Sequence, residues 1–353
     1  MTYLDDPELI EPRSDEGLAM ERLEPYLREQ LPETDGALYL RQFKGGHANL
    51  TYLLRFGEIE YVLRRPPLGP LAPGSHDMQR EFRVLSKLFR YFPLAPRSYL
   101  HCADESIIGA PFQIMDRRHG IVIRNRMPEL ESDGPELRRR LSEMIIDVLA
   151  DLHGVDRAAA GLADLGHPDG FLQRQLVGWK GRWQAAAHQH NADMLKLIAW
   201  LELHQPTTRH VSILHNDYKL DNMLVDARDP AIPVAVLDWD MCTSGDALMD
   251  LGYLLNQWVE ADDDPEWIEW TAMPTWQPGF ARREEVIERY CKRTGFDVDN
   301  MRWYYAFSVM KFAVIIQQIY IRYRRGQTED ERFAHYDARA ASFVSKGCRI
   351  ADI

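Results

Sequence analysis

Cysteine is scarce in this chain of 353 residues: Cys102, Cys242, Cys291 and Cys348 are scattered, with no C-x-x-C pair. That pattern suggests neither a zinc knuckle nor a disulfide framework, and it fits a reducing compartment. The N-terminus, Met1-Thr2-Tyr3-Leu4-Asp5-Asp6, lacks the basic and apolar regions of a signal peptide. No apolar run is long enough to span a bilayer; the most apolar, Phe312 to Ile321, is interrupted by Gln317 and Gln318. A cytoplasmic protein without a membrane span is the expectation. A basic excess is missing too: 42 Lys+Arg against 54 Asp+Glu give a net charge of −12, which argues against a nucleic-acid binder. No internal repeat is visible.

What remains is a composition of 45% hydrophobic and 27% charged residues, ordinary for a globular protein and long enough for two lobes. Residues 1–35 form an acidic extension with an amphipathic piece near Leu18–Leu31, expected as a short surface helix. Leu38–Phe43 and Leu50–Phe56 are β-prone and joined by a turn containing Gly45, Gly46 and Asn49, which reads as a hairpin; Tyr61–Arg64 adds a third strand. The glycine pair is either a plain turn or a place where backbone N–H groups meet phosphate. Arg64 shares a face with Val62 and is either a phosphate-facing cation or a solvated edge residue.

A helix is expected over about 78–91, with Glu81 in its first turn, suited either to the helix dipole or to an ion pair with Arg64. Strands around Ser98–His101 and Pro111–Met115 lead to a charged connector, the expected hinge near 115–119. This divides the chain into 1–35, a sheet-rich lobe at 36–115 and a mainly helical lobe at 116–353. In the second lobe, Leu137 to Leu152 keep helical spacing, and His153 at its end reads as a structural hydrogen-bonder. Phe171–Leu203 reads as helix-forming, with Trp179, Trp183 and Trp200 as core aromatics. Asp246 is the expected N-cap of another helix. Glu260–Trp276 suits a mobile substrate loop or a surface excursion, and two long helices, about 282–294 and 301–323, are expected to close the chain.

Two short apolar runs deliver polar residues to one rim: Ile213-Leu214-His215-Asn216-Asp217-Tyr218-Lys219-Leu220-Asp221-Asn222-Met223-Leu224-Val225, and Val234 to Asp240. The first has the spacing H-x-D-x-x-x-x-N, in which a carboxylate takes a proton from a hydroxyl and an amide oxygen holds a divalent cation. Phosphoryl transfer from a nucleotide needs such a base, metal ligands and fixed cations. Asp217 is the candidate base, Asn222 and Asp238 the candidate metal ligands, and Arg64, steadied by Glu81, the candidate phosphate cation. His215 buttresses the loop in this scheme, and Lys219 either meets the transferred phosphate or is solvated. A metal-hydrolase cluster of His215, Asp217 and Asp238 is a further reading, although such sites ordinarily need more ligands.

With these residues in place, the chain resembles the aminoglycoside phosphotransferase-like branch of the protein-kinase-like fold. The likeness runs over roughly residues 35–325 and rests on Phe43 to Thr51, Tyr61 to Pro67, Arg80-Glu81, His215 to Asn222, Leu237 to Asp240 and Gly245 to Gly252. It implies an α+β, two-lobed fold and transfer of the γ-phosphate of ATP or GTP, with Mg2+, to a small-molecule hydroxyl. It also implies that Gly45, Gly46 and Asn49 meet the nucleotide, that the backbone of Met115, Asp116 and Arg117 meets the adenine, and that Asp250 braces the catalytic loop. Arg64 stands where kinases usually carry lysine, which differs in shape and reach and keeps open a silent nucleotide-binding or adaptor module. The Leu68–Leu71 connector and the Tyr304 to Arg322 helix resemble a sub-branch found free-standing or fused to acyl-CoA dehydrogenase-like domains. That likeness implies a hydroxyacyl-CoA acceptor over an aminoglycoside or choline-type alcohol, with Arg117, Arg118, Arg124 and Arg126 either meeting CoA phosphates or merely solvated.

Overall fold

The computed structural model describes residues 8–44, 49–67, 77–130 and 133–353. Gly45, Gly46 and the Leu68–Leu71 connector lie outside them. The described chain is a two-lobed α+β fold with an antiparallel sheet at one end and a mainly helical body at the other.

The small lobe opens with β1 (Leu9–Ile10) and α1 (Met20–Gln30), followed by β2 (Leu38–Phe43), β3 (Leu50–Phe56), β4 (Ile59–Arg65), α2 (Met78–Leu88), β5 (Ser98–Cys102) and β6 (Phe112–Asp116). The six strands form one sheet in the order β1-β2-β3-β4-β6-β5. Alternation along β4 sorts its side chains between two cores. Tyr61 and Leu63 join a cluster with Leu23 and Leu27 of α1, whereas Val62 joins Met115 and the α2 residues Val84, Leu85 and Leu88. The same pleat sends Arg64 towards α2 and Arg65 towards α1. Arg65 is fully buried there, donating to Ile108 O, Glu16 O and Tyr52 Oη.

The amphipathic surface helix expected in the N-terminal extension is present as α1, with most of its residues at least partly exposed. α1 buries Leu23 and Leu27 against the outer face of the sheet, and β1 extends the sheet beside β2. Asp77 caps α2 by accepting from Arg80 N at 2.9 Å, which places Glu81 one turn in, on the buried side.

The large lobe contains α3 (Pro135–His153), α4 (Phe171–Ala186), α5 (Ala192–Leu203), β7 (Val211–Leu214), β8 (Met223–Val225), β9 (Pro233–Val236), β10 (Thr243–Asp246), α6 (Leu248–Gln257), α7 (Pro265–Trp270), α8 (Arg283–Thr294), α9 (Met301–Arg324) and α10 (Tyr336–Ala351). β7 pairs with β10 and β8 with β9, so two small antiparallel ladders interrupt the helices. The 171–203 run is two helices, the second capped by Asn191, which accepts from Met194 N at 2.8 Å.

A third closing helix, α10, packs along α9 and was not expected from the sequence. α9 is long and apolar enough to cross a membrane by composition alone, but 72% of its most apolar window is buried against the other helices. Asp246 ends a strand rather than beginning the helix, yet its carboxylate still accepts from Leu248 N at 3.1 Å. The 260–276 stretch carries α7 and is tied down by Arg282 and Arg283 to Glu260, Asp262 and Asp263. α6 lies very close to α9: a Cβ on Gly252 would come 2.6 Å from Tyr304 O, so only glycine permits the approach. That approach fixes its neighbours Asp250 and Tyr253 in the floor of the site.

Candidate active site

The site is built where the ends of the two antiparallel ladders meet the cleft face of the sheet. Between β7 and β8, residues 215–222 form a tight loop ending in a 3-10 turn, Leu220–Asn222. Asn216 has φ 66°, a left-handed conformation that Asn tolerates better than most residues. It is held there because Asp250, fully buried on α6, accepts from His215 N at 2.6 Å and Asn216 N at 2.8 Å.

His153 Nε2 lies 3.4 Å from the same carboxylate and its Nδ1 lies 2.6 Å from Tyr290 Oη. The neutral Nε2–H tautomer fits both contacts, with Tyr290 as donor to Nδ1. Burial works against the Asp250 charge, but the hydrogen bonds from the His153 ring and the His215 backbone hold its pKa below the usual carboxylate range.

His215 is fully buried and stacks obliquely on Trp239, 4.8 Å between centroids. Its Nε2 donates to Leu237 O at 2.8 Å, and Nδ1 accepts from Asp217 N at 3.3 Å. Both ring nitrogens are thus committed, and the imidazole ties the loop to the strand end that carries Asp238. A second tie runs from Leu237 N to Asn222 O at 2.8 Å.

Both carboxylate oxygens of Asp217 receive donors. Oδ2 accepts from Asn222 Nδ2 at 2.7 Å and lies 3.2 Å from Lys219 Nζ, while Oδ1 accepts from the Tyr253 hydroxyl. Asn222 Nδ2 also donates to Asp217 O at 2.9 Å, so the amide nitrogen faces Asp217 and Oδ1 is the atom left for coordination. Burial, followed by the Asp217 charge and hydrogen bond, pushes the Tyr253 phenol well above its ordinary value.

The second cluster crosses the cleft. Arg64 forms ion pairs with Glu81 through Nη1 and with Asp238 through Nη2. Glu81, fully buried, also accepts from Gln113 Nε2 and from Trp239 N, the latter at 3.1 Å. Burial pushes the Glu81 carboxyl up to about 7 against the pull of Arg64. Asp238 has φ 68°. Burial opposes its charge, but Arg64 above all, with Lys219, holds its pKa below the ordinary carboxylate value. Asn49 Nδ2 donates to Asp240 Oδ2 at 3.3 Å, a further link from the sheet to the large lobe.

Of the residues singled out in the sequence, His215, Asp217, Lys219 and Asn222 therefore form one cluster, and Asn49, Arg64, Glu81, Asp238 and Asp240 form the other. Met115 lies opposite Val62, one strand over from Arg64; Asp116 accepts from Arg97 N at 3.2 Å, and Arg117 lies over the Phe43 ring at 4.7 Å. Arg124 Nε reaches Asp221 of the loop at 3.3 Å.

Tyr253, Gln113 and Lys311 escaped the sequence reading. Lys311, buried on α9, donates to Asn216 O at 3.3 Å and lies 5.0 Å from the Tyr253 ring. Its signal was present, since it is the one charge between Ala306 and Ile316. Asp238 and Asn222 Oδ1 are oxygen donors of the kind a hard divalent cation takes. No group of three or more His, Cys, Asp and Glu among the described residues could hold a metal. With its nitrogens taken, His215 is no ligand, which removes the metal-hydrolase arrangement.

Residues 40–304 match the phosphotransferase enzyme family. The chain is 32% identical to acyl-CoA dehydrogenase family member 10 of Mus musculus over 312 residues, 88% of this chain and 29% of that protein. It is 32% identical to family member 11 of Gallus gallus over 342 residues, 93% of this chain and 43% of that one. It thus spans less than half the length of these relatives. A crystal structure from Ralstonia eutropha JMP134, assigned by likeness to the aminoglycoside phosphotransferases, superposes with TM-score 0.82 at 29% identity, covering 95% of this chain and 99% of that one. Choline kinase of Cryptosporidium parvum shares the fold, with TM-score 0.62 at 11% identity and coverage of 94% and 95%.

Proposed function

The chain belongs to the phosphotransferase enzyme family, and we propose that it is a small-molecule kinase that moves the γ-phosphate of ATP to the hydroxyl of a hydroxyacyl-CoA. The observation that carries the reading is the pair of clusters joined through Leu237. A doubly engaged carboxylate, Asp217, sits on the same loop as the Asn222 amide, and Arg64 reaches over from the sheet to Asp238.

In this scheme Asp217 accepts the acceptor's hydroxyl proton as its oxygen bonds to the γ-phosphorus; the bond to the β-bridging oxygen breaks and ADP leaves. Asn222 and the Lys219 ammonium orient the Asp217 carboxylate, and Lys219 is within reach of the transferred group. Arg64 exchanges its Asp238 contact for nucleotide phosphate while Glu81 keeps the guanidinium in place. Asp238 and Asn222 hold Mg2+, whose contribution is to screen the phosphate charge. His215 positions the loop. Met115 and Asp116, at the end of β6, and Arg117 just after it border the base of the nucleotide, and Asn49 borders the phosphates. The location proposed for the protein is cytoplasmic.

The CoA reading draws on the names of the relatives and on Arg124, more than half exposed and set against loop residue Asp221. The test is a panel of hydroxyacyl-CoA, aminoglycoside, choline and sugar acceptors with ATP and magnesium, read by mass spectrometry. A phosphorylated hydroxyacyl-CoA is expected; transfer only to an aminoglycoside or to choline would refute the CoA assignment. The Arg64–Asp238 pair also suits a silent nucleotide-binding module, which would bind ATP and yield no product from any acceptor.

A further inference from the structure

Tyr253 and Lys311 belong to a buried group beside Asp217 that the transfer scheme leaves without a task. The Lys311 ammonium has three N–H donors and one hydrogen-bond acceptor, Asn216 O, among the described residues. It lies between two rings, 5.0 Å from the Tyr253 centroid and 5.5 Å from that of Trp179 on α4. Arg182 covers the Trp179 ring at 4.3 Å, so a second cation stands behind the first. Burial draws the Lys311 pKa down; Asp217 and Asp250 oppose this, and Arg182 and Lys219 add to it.

One turn before Lys311, Ser308 is 3% exposed and its hydroxyl has no hydrogen-bond partner among the described residues. Ser308 and Lys311 both line a small cavity of ≈ 10 Å3 that Asn216, Tyr253 and Phe307 help to enclose. A space of that size admits one oxygen-sized group, about the volume that holds a single water. Its lining also includes the Asp250 carboxylate, whose oxygens already accept from His215 N, Asn216 N and His153, so the free donors it offers an oxygen are the Lys311 ammonium and the Ser308 hydroxyl.

The geometry points to Lys311 and Ser308 as an acceptor-recognition subsite. They take a carbonyl or carboxylate oxygen of the acceptor and thereby set its hydroxyl at Asp217 Oδ1, which already accepts from the Tyr253 hydroxyl and retains a second lone pair. Acceptors that carry an oxygen within reach of these two donors, as hydroxyacyl compounds do, are selected. The inference rests on Asp217 being the base and on a hydroxyacyl acceptor.

The experiment uses the full chain with ATP and magnesium, comparing a hydroxyacyl-CoA with the matching hydroxyalkyl-CoA thioether that lacks the carbonyl. Wild type should prefer the carbonyl compound. Lys311→Met should lose about 10- to 100-fold in kcat/KM on it, mainly through KM, the factor of a charge-assisted hydrogen bond. The variant's ATP dissociation constant should stay within about twofold of wild type, and its loss on the thioether should be clearly smaller than its loss on the carbonyl compound. Ser308→Ala, a smaller change that keeps the fold, should lose several-fold in the same selective way and carries the test should Lys311→Met fail to fold.

Equal losses on both acceptors, or undiminished preference in the two variants, would overturn the subsite while leaving the kinase reading intact. Failure of the wild-type protein to phosphorylate either acceptor would instead overturn the hydroxyacyl reading, and this inference with it.

Discussion

Replacing Asp250 tests how the catalytic loop is held. The carboxylate is fully buried and accepts from two consecutive backbone N–H groups and from His153, at 2.6, 2.8 and 3.4 Å. Hydrogen bonds to a charged group contribute about 1.5–3 kcal/mol each, but three on one carboxylate do not add, and truncating a buried charged partner costs about 3–5 kcal/mol. Asp250→Ala should therefore destabilise by about 3–5 kcal/mol in urea unfolding. Asp250→Asn, which still offers one acceptor oxygen, should lose roughly half of that.

The effect should be larger on turnover than on nucleotide affinity, because the freed N–H groups belong to His215 and Asn216, next to Asp217, and the Arg64 cluster is untouched. The pH sign follows from the depressed pKa of Asp250. Its stabilisation is present above the ordinary carboxylate range and is lost as pH falls through the folded value. The wild type and Asp250→Asn should accordingly converge in acid. An Asp250→Asn protein within about 0.5 kcal/mol of wild type at neutral pH, the range of a neutral surface change, would refute the reasoning.

Two further outcomes follow from buried charge. Lys346 is 2% exposed, has no hydrogen-bond partner among the described residues and lies 4.3 Å from the Trp267 ring; burial lowers its pKa to about 7. Charging it in the native state is unfavourable below that value, and the penalty disappears as pH rises towards the ordinary lysine value, so Lys346→Met should stabilise most below pH 7. Thermal melts across pH should show a gain of about 1–4 kcal/mol there and none in strong alkali, and a pH-independent difference would contradict it. In Arg64→Lys, one ammonium replaces a two-pronged guanidinium and cannot span Glu81 and Asp238 in the same way. Calorimetric titration should show ATP affinity changed by several-fold with stability lowered; identical affinity and stability would sink the bridging role.

The loop 215–222 and the strand end at Asp238 were legible in the sequence because short apolar runs bracket each polar cluster, and such bracketing survives folding. Arg64 was legible for a related reason: the two-residue period of β4 separates it from Arg65, which went to the other face and a wholly different job. Helix-borne partners were not legible. Tyr253 and Lys311 come from α6 and α9, and which helix faces which is decided by packing, here by Gly252 against Tyr304. A lysine within an apolar helix carries no label for the loop it will meet, although its isolation among apolar neighbours marks it as buried. The sequence marked α1 as amphipathic but not what its apolar side meets; Leu23 and Leu27, one turn apart, dock it on the sheet.

The central claim, that Asp217 is the base of a phosphoryl transfer to a hydroxyl, is tested most directly by following labelled γ-phosphate from ATP to a hydroxyacyl-CoA with wild type and Asp217→Asn while ATP affinity is measured in parallel. The wild type should form phosphorylated product, and the variant should be slower by about 10²- to 10⁴-fold with its ATP dissociation constant within about twofold. Equal product formation by the two proteins would contradict the account.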